Sequence, residues 1–410
     1  MPREMKDSGI KWIGEIPSHW EILPIKIAFS EVKTKNSDGQ VTNALKFKFG
    51  EIVPKTNFDS ENDDYVADTI LNYTVVEPRT IMINGLNLNY DFKTQRTGLV
   101  REKGIITSAY LALKPLEEII LAEYATYLFK GYESKMAFHN MGSGIRLTLG
   151  FKEFKNQPLL VPPIDEQKAI IDLLATKCAE VDAVIEQTKA TIEEYKALKQ
   201  SIITEAVTKG IRGDRPMKDS GIEWIGEIPV EWKIVRLRYL CRIYTGNQDT
   251  QDNNPEGDYP FYVRSPIVER SEKYTFDGPA ILMSGDGAGA GRIFHLVDGR
   301  YGCHQRVYSM QDIKIANRKY LFYYLKNLFY VSIETANSKS TVDSVRLPML
   351  QDFPVLITNE YEQKEIADYL DQKCGEIDAL IEKKTSLLKE MEALKKSIIF
   401  EYVTGKKEVC

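Results

Sequence analysis

The sequence has 410 residues, more than one hydrophobic core usually organises, so it predicts two or more domains. Hydrophobic residues make up 43% of the chain and aromatic residues 10%, values that exclude a wholly disordered chain or a collagen-like rod. The net charge of −5 argues against a protein that coats nucleic acid by bulk electrostatic attraction. Five scattered cysteines without a CxxC pair argue against a disulfide framework or a zinc ribbon.

The chain shows no sign of membrane insertion or secretion. No apolar run reaches 18 residues, and the polar opening MPREMKDSG lacks the hydrophobic centre of a secretory signal. We therefore expect a soluble cytoplasmic protein without a membrane partner.

Two blocks of sequence occur twice, in the same order. MKDSGIKWIGEIPSHWEI begins at Met5 and returns as MKDSGIEWIGEIPVEWKI from Met217. A longer block that begins EQKAIIDLLATKC at Glu166 returns as EQKEIADYLDQKC from Glu362. The stretches between the blocks show little similarity. The chain is therefore a tandem repeat, and each half has a shared opening, a divergent middle and a shared final segment.

The divergent middles have the pattern of short strands. They contain segments rich in β-branched or aromatic residues and bounded by Gly, Asn or Asp, such as TIMINGLNL, GIITSAYLAL, GPAILMSG, RIFHLV and YGCHQRVYSM. Helical periodicity occurs at residues 117–132 and 318–331, and strand-like, proline-punctuated segments precede each shared final segment. The middles are therefore predicted to be mixed β with short helices.

The shared final segments are predicted to be long amphipathic helices. From Glu166 the apolar positions advance in steps of three, four and seven, and Asp165 and Asn359 are candidate N-caps. About 45 residues would give roughly 65 Å of helix. Two equal helices with matching apolar stripes favour an antiparallel coiled coil, and the alternative is a helix that lies flat on a globular domain.

Together these features predict an α+β fold. Two domains of mixed β with short helices are separated by two long helices that form an antiparallel coiled coil, and the internal tandem repeat implies pseudo-two-fold symmetry. The predicted divisions are a first domain at 1–160, a central helix at 161–212, a second domain at 213–357 and a C-terminal helix at 358–410.

Motifs for catalysis are weak. SGDGAGAGR at 284–292 contains a GxGxG pattern, but the strand-like RIFHLV follows it instead of a helix, and no Lys-Ser/Thr pair ends it. This pattern favours a β-hairpin tip that approaches a ligand closely, with a plain turn as the alternative. The Glu166-Gln167-Lys168 string and its repeat resemble a nuclease motif, but their place at helix starts favours helix-dipole electrostatics.

No metal site or catalytic group is predicted. The four histidines are isolated, and Cys303-His304 has no second pair at ligand spacing. Cys178 and Cys374 occupy equivalent positions on the apolar stripes, which predicts burial.

Local charge is more informative than the average. Residues 79–114 include six basic and two acidic residues, and residues 284–346 include nine basic and five acidic residues. This surplus of positive charge, which lies among polar side chains, favours contacts with DNA phosphates and recognition of base edges. The alternative is an ordinary solvated surface. The candidate DNA-binding residues are Arg79, Asn87, Gln95, Arg96, Ser108, Tyr110, Arg264, Ser284, Asp286, Arg292, Gln305 and Arg306.

The order of these motifs resembles the specificity subunit of type I restriction-modification systems, called HsdS. The resemblance covers nearly the whole chain, although TNEYEQKEI departs from the family's usual PPxxEQ run in the second half. It rests on KDSGIxWIGEIPxxW in both halves, GIITSAYLAL at 104–113, PLLVPPIDEQKAI at 158–170, YPFYVR at 259–264 and QRVY at 305–308.

The resemblance implies two target-recognition domains, each of which reads half of a split, asymmetric sequence in double-stranded DNA. It also implies two modification subunits that methylate adenine, and restriction subunits in the full complex. The subunit itself would be non-catalytic and hold no cofactor, while S-adenosylmethionine, ATP and Mg²⁺ would bind to its partners. A structural coiled-coil adaptor and a self-contained DNA-modifying enzyme are the alternatives.

Overall fold

The computed structural model describes residues 3–55, 70–89, 95–141, 147–336 and 344–409. The chain divides into two compact units. Unit 1 comprises Met1–Lys189 and Ser386–Cys410, and unit 2 comprises Ala190–Thr385. The four segments expected from the sequence remain a prediction, because this division assigns parts of each long helix to both units.

The described residues contain seven α-helices and three short 3₁₀ helices. Two of the α-helices are much longer than the others, with 46 and 44 residues, and they are the two shared final segments of the repeat. The α-helices are α1 (Ile25–Ala28), α2 (Ala122–Ser134), α3 (Phe151–Phe154), α4 (Ile164–Lys209), α5 (Arg318–Ala336), α6 (Leu347–Gln351) and α7 (Glu360–Val403), and the 3₁₀ helices are Ala137–Asn140, Leu237–Tyr239 and Thr250–Asp252.

Strands of two to five residues make up the rest of the regular structure. Those of unit 1 are β1 (Met5–Asp7), β2 (Glu15–Pro17), β3 (Glu21–Pro24), β4 (Phe29–Glu31), β5 (Leu45–Lys48), β6 (Glu51–Pro54), β7 (Thr74–Val76), β8 (Ile81–Ile83), β9 (Thr97–Leu99), β10 (Gly104–Ile106), β11 (Leu111–Pro115) and β12 (Pro158–Val161). Those of unit 2 are β13 (Met217–Asp219), β14 (Glu227–Pro229), β15 (Lys233–Arg236), β16 (Arg242–Thr245), β17 (Tyr259–Tyr262), β18 (Glu269–Ser271), β19 (Phe276–Asp277), β20 (Ala280–Ser284), β21 (Phe294–Val297), β22 (Arg300–Cys303), β23 (Val307–Gln311) and β24 (Pro354–Ile357).

Each unit is built on a four-stranded antiparallel sheet with the same strand order. In unit 1 the order is β4-β11-β8-β9, and in unit 2 it is β16-β23-β20-β21. A second repeated feature pairs the strand after the shared opening with the strand before the long helix, β3 with β12 and β15 with β24. The two middles therefore share a scaffold although their sequences differ. Unit 2 also has the sheet β18-β17-β22-β19.

Inside each unit the two long helices run antiparallel. In unit 1, Lys395 on α7 donates to both oxygens of Asp182 on α4 at 2.6 Å. In unit 2, Lys199 on α4 donates to Asp378 on α7 at 2.5 Å. Within unit 1 the start of α4 meets the end of α7, since Ile170 and Val403 share one buried cluster. Within unit 2 the end of α4 meets the start of α7, since Val207 and Ile366 share another. The predicted antiparallel pairing is confirmed.

One of the two predicted N-caps is correct. The Asn359 side chain accepts from the Glu362 N–H at 3.0 Å and so caps α7. Asp165, in contrast, lies inside the first turn of α4, where it forms an ion pair with Lys168 at 3.1 Å. The cap prediction at Asp165 was wrong because α4 begins one residue earlier, and the Pro163 carbonyl accepts its first helical hydrogen bond.

Three predicted elements differ from the structure. GIITSAYLAL forms two strands, β10 and β11, which pair with different partners, instead of one. YGCHQRVYSM likewise forms two strands, β22 and β23. Helix α2 begins at Ala122 instead of Glu117, and the Gln167 side chain bonds the backbone just before it, at Ile119 and Leu121. These bonds with a side chain of the long helix satisfy backbone groups that a longer helix would have used.

Residues of both long helices form one side of the hydrophobic core in each unit. In unit 1 the buried cluster includes Ile170 and Cys178 from α4 together with Val403 from α7. The equivalent cluster of unit 2 includes Val207 from α4 and Cys374 from α7. The predicted burial of the two stripe cysteines is confirmed. Among the described residues, no helix is long and apolar enough to cross a membrane.

A cluster of Trp, Glu and Arg, here the Trp–Glu–Arg cluster, joins the shared opening to the long helix in each unit. In unit 1 the Trp20 indole N–H donates to Glu166 at 3.0 Å, Arg3 bonds the same carboxylate, and its guanidinium lies 5.4 Å from the Trp20 ring centroid. The Glu of the repeated Glu-Gln-Lys string is therefore a structural anchor in this unit.

Unit 2 repeats the cluster in a more buried form. Trp232 donates to Glu362 at 3.0 Å, and Arg215 bonds Glu362 and lies 5.6 Å from the Trp232 ring centroid. Burial raises the pKa of Glu362, but hydrogen bonds donated by Arg215, Thr358 and Trp232 outweigh it and lower the pKa below 4.5. Glu362 is therefore held as a buried carboxylate at neutral pH.

We expect Glu362→Gln to lower the free energy of unfolding by about 3 kcal/mol at neutral pH, because it leaves the Arg215 cation without its buried partner. Glu166→Gln is the matched control. The Glu166 side chain is 21% exposed and that of Glu362 is 1% exposed, so the control should cost about 1 kcal/mol. Urea unfolding of the full chain measures both values, and equal losses would contradict the difference in burial.

The Glu362→Gln penalty should depend on pH. A carboxyl group whose pKa is lower in the folded than in the unfolded chain contributes stability above its unfolded pKa and loses it as the pH falls through the folded value. The gap in stability between the native chain and Glu362→Gln should therefore narrow as the pH falls below 4.5. A gap that stays constant between pH 7 and pH 3 would contradict this assignment.

Candidate nucleic-acid interface

The glycine-rich segment of unit 2 is the tip of a β-hairpin. Strands β20 and β21 pair antiparallel on either side of it, as the sequence predicted. The tip closes through a hydrogen bond from the Gly291 N–H to the Ser284 carbonyl at 2.8 Å, and Gly287 and Gly291 have φ angles of 75° and 69°. These left-handed positions suit glycine, so the motif forms a compact turn instead of a phosphate-binding helix start.

Asp286 places two exposed arginines beside this tip. Its carboxylate lies 3.6 Å from the Arg264 guanidinium and 3.9 Å from that of Arg306. Both arginine side chains are about half exposed, so they can exchange this weak pairing for contacts with another anion. Ser284 is buried, and its hydroxyl donates to the Asp286 carbonyl at 3.2 Å. The Ser284 side chain therefore supports the turn from below the surface.

Arg292 lies at the other end of the tip and points to α5. Its guanidinium lies 3.8 Å from the ring centroid of Tyr330, donates to the Tyr330 hydroxyl, and is 3.9 Å from Glu334. The side chain is half exposed. Stacking on Tyr330 fixes the plane of the guanidinium, which lowers the conformational entropy lost on binding.

Gln305 extends the surface beyond Arg306. It donates to Asp249 at 3.3 Å, and the neighbouring His304 is buried. The His304 Nδ1 atom accepts from the Arg306 N–H at 3.0 Å, so its Nε2 atom carries the proton that faces Asp249 at 3.3 Å. A backbone N–H bond from Thr250 lowers the pKa of Asp249, and His304 lowers it further.

Sequence analysis missed Asp249, Tyr330 and Glu334. Each of these side chains holds a predicted site residue in place from a distant part of the chain. No local pattern links them to their partners, since the residues that meet are separated by 38 or more positions.

The candidates of unit 1 are more dispersed. Arg79 has a φ angle of 72° and forms two ion pairs at 2.9 Å, with Glu117 and Glu123. Ser108 is exposed in the turn between β10 and β11, and Tyr110 closes that turn with its ring against Phe47 at 5.0 Å.

Asn87 and Gln95 are both exposed. Asn87 has a left-handed φ angle of 53°, and Gln95 lies directly against Gly50. Two basic residues that contribute to the charge surplus, Lys93 and Lys339, lie outside the described residues.

Arg96 is a buried residue, with 1% of its surface exposed. Its guanidinium donates to the Asn84 carbonyl at 2.9 Å and to the Leu86 carbonyl at 2.8 Å, and its backbone N–H donates to Glu133 at 2.6 Å. Burial raises the pKa of Glu133. These contacts give Arg96 a structural part in the loop before residue 90.

The structure thus brings Arg264, Asp286 and Arg306 together beside the tip in unit 2, with Arg292 at the far end of the same tip. Gln305 precedes Arg306 in the chain and bonds Asp249. Within the described ranges, no three His, Cys, Asp or Glu side chains are grouped as metal ligands. The arrangement offers guanidinium and amide groups for anions and hydrogen-bonding edges.

Comparison with known proteins gives a consistent result. Residues 99–194 and 229–390, more than half of the chain, match the family model for the type I restriction modification DNA specificity domain. The chain is 24% identical over 439 residues to the type I restriction enzyme MjaVIII specificity subunit of Methanocaldococcus jannaschii, covering 95% of this chain and 93% of the relative. It is 27% identical over 154 residues to the EcoDI specificity subunit of Escherichia coli, which covers 38% of this chain and 34% of the relative.

A solved structure shares the fold. It comes from work on complex assembly and conformational transition of the type I R-M system, with a TM-score of 0.69 and 17% identity. The alignment covers 96% of this chain and 99% of that chain.

The burial of Arg96 leads to a prediction. Arg96→Met should lower the free energy of unfolding by about 3 kcal/mol, because the Asn84 and Leu86 carbonyl groups lose the donor that the buried guanidinium supplies. The control Arg79→Met removes a half-exposed cation and should cost less than about 1 kcal/mol. Urea unfolding of both variants tests the assignment, and an Arg96→Met chain as stable as the native one would contradict the structural role.

Proposed function

The chain belongs to the family of type I restriction modification DNA specificity domains, and we propose that it reads a bipartite, asymmetric DNA target for a type I restriction-modification complex. The observation that carries this proposal is the repeated sheet order in units 1 and 2, which holds different exposed side chains in the two units. One scaffold with two different surfaces suits two unlike half-sites.

In unit 2 the reading surface is the hairpin tip with its arginines. Arg264 and Arg306 suit phosphate oxygens or guanine edges, and Gln305 has the paired donor and acceptor that match adenine. Asp286 keeps the two arginines close together before DNA arrives. Arg292, with its plane fixed by Tyr330, is the residue of the tip best suited to bidentate contact with a base.

In unit 1 the contacting residues that we propose are Arg79, Asn87, Gln95, Ser108 and Tyr110, which are exposed or half-buried in loops next to the sheet. Arg96 and, in unit 2, Ser284 support these loops from inside. The two units therefore present different polar groups.

The same proposal includes protein partners. The shared openings and long helices occur twice, which suits two copies of one modification subunit, and restriction subunits complete the complex. S-adenosylmethionine, ATP and Mg²⁺ bind to those partners in this scheme, in the cytoplasm, and no catalytic step is assigned to this chain. A coiled-coil adaptor would account for the helices, but it leaves the exposed arginines of the hairpin tip without a role.

The experiment that tests the proposal is a domain exchange. Residues 27–157 are replaced by the equivalent region of a relative with a known target, and methylated adenines are mapped across a genome. We expect one half-site to change and the other to remain. A change in both half-sites, or no sequence-specific methylation in the presence of modification subunits, would contradict the proposal.

Arg292→Ala tests the surface of unit 2. If Arg292 contacts a base, the variant should lose about 1–3 kcal/mol of binding free energy and relax one position of the target. If it contacts a phosphate, binding should weaken on all sequences, with a salt slope lower by about one. Gel-shift titrations of the assembled complex over a series of salt concentrations distinguish these results.

Tyr330→Phe is the control for this prediction, because it removes only the hydroxyl group that Arg292 bonds and keeps the ring. Its affinity should stay close to that of the native chain. Unchanged affinity, target pattern and salt dependence in Arg292→Ala would remove the tip from the reading surface.

A further inference from the structure

A second hairpin, in unit 1, has features that its fold does not require. Strands β5 and β6 pair antiparallel, with Lys48 opposite Glu51, so Phe49 and Gly50 form a two-residue turn. Leu45 and Ile52 hold the base of the hairpin in a small buried cluster. The tip is therefore carried on an anchored ribbon.

Phe49 is an unfavourable residue for this turn. Phe49 and Gly50 have φ angles of 49° and 77°, the left-handed pair that defines a type I′ turn. Such turns prefer Asn-Gly or Asp-Gly, and a bulky residue in the left-handed region is strained by contact between its Cβ and the following carbonyl oxygen. Local turn stability would favour a smaller polar residue here.

Phe49 is also an unfavourable residue for contact with water. Its exposed fraction is 85%, the highest among the exposed large hydrophobic side chains of the described residues. The strain is therefore not offset by burial of the ring inside the chain. Strained residues that persist in this way are often functional, and an exposed aromatic ring is a common anchor for another molecule.

The groups around Phe49 favour a polyanionic partner. Lys46, Lys48 and Glu51 line one face of the hairpin together with Phe49, beside a concave space of about 310 Å³, so this face has one positive charge more than it has negative charges. Gln95, a proposed DNA contact, lies against Gly50 so closely that a Cβ at this glycine would overlap its side chain. An apolar ring next to two lysines fits a nucleic acid, which has phosphates outside and apolar base faces and thymine methyl groups within its grooves.

We propose that the hairpin Leu45–Pro54 enters a DNA groove and that Phe49 makes apolar contact with bases of the half-site read by unit 1. A two-stranded ribbon has the width of the major groove. Lys46 and Lys48 then contact the phosphates at its edge. This inference rests on the proposed function and adds a specificity-determining residue that charge patterns alone do not indicate.

The test uses the chain assembled with its modification subunits and a DNA duplex that contains the target. Phe49→Asn removes the ring and introduces the residue that the turn prefers, so the thermal midpoint should stay equal or rise. Affinity for the target should fall about tenfold, the usual scale of one lost base contact in a duplex site. Phe49→Gly, which also suits the turn, should show the same loss, and Phe49→Trp should bind within about threefold of the native chain.

Met136→Asn is the matched control. Met136 lies in unit 1, is 49% exposed and has a φ angle of 54°, so the substitution also replaces a strained, exposed apolar residue. Its affinity for DNA should not change. Equal weakening by Met136→Asn and Phe49→Asn would overturn the specific role of the hairpin.

The target series separates this inference from the proposed function. Phe49→Asn should lose discrimination only at positions of the half-site read by unit 1. If the native complex does not discriminate between target and scrambled DNA, the proposed function fails. If the native complex discriminates and Phe49→Asn binds equally well, the inference fails alone. If Phe49→Asn weakens assembly with the modification subunits but leaves DNA affinity unchanged, Phe49 contacts a protein and the inference is overturned.

Discussion

The Trp–Glu–Arg cluster is the constraint on which the fold of each unit depends. A buried indole N–H needs an acceptor, and a buried carboxylate needs donors and a cation. Trp232 and Arg215 meet both needs of the buried Glu362, and Trp20 and Arg3 bond the partly exposed Glu166 in the same way. Because these carboxylates open the long helices, the cluster fixes where each helix leaves the sheet that carries the loops.

This anchor explains why the openings and helices recur while the middles differ. The glutamine after each anchoring Glu bonds the backbone just before α2 or α5: Gln167 bonds Ile119, and Gln363 bonds Asn317. The four-stranded sheet therefore has one orientation relative to its own helix pair in each unit. Loops on that sheet can change their side chains without disturbing the buried bonds that hold the scaffold.

The candidate surfaces use paired charge instead of bulk charge. Asp286 accompanies Arg264 and Arg306, Glu334 accompanies Arg292, and acidic residues flank Arg79 in unit 1. Such pairs keep the free chain near neutral and weaken attraction to arbitrary DNA. The affinity for DNA then depends on DNA groups that can replace the internal ion pair of each arginine. This requirement favours the correct target over DNA of random sequence.

The sequence by itself determined the features that rest on local patterns: the repeat, the paired long helices, the hairpin at the glycine-rich segment and the cap at Asn359. Tertiary structure decided the features that depend on distant partners. Arg96 and Ser284 lie in sequence segments as polar as those of the exposed candidates, yet both are buried in the folded chain. GIITSAYLAL becomes two strands because its ends pair with different neighbours. Burial and strand pairing depend on residues that are far apart in the chain, whereas sequence periodicity depends only on neighbouring residues. The sequence therefore did not indicate Phe49 either, because its exposure follows from the position of its hairpin.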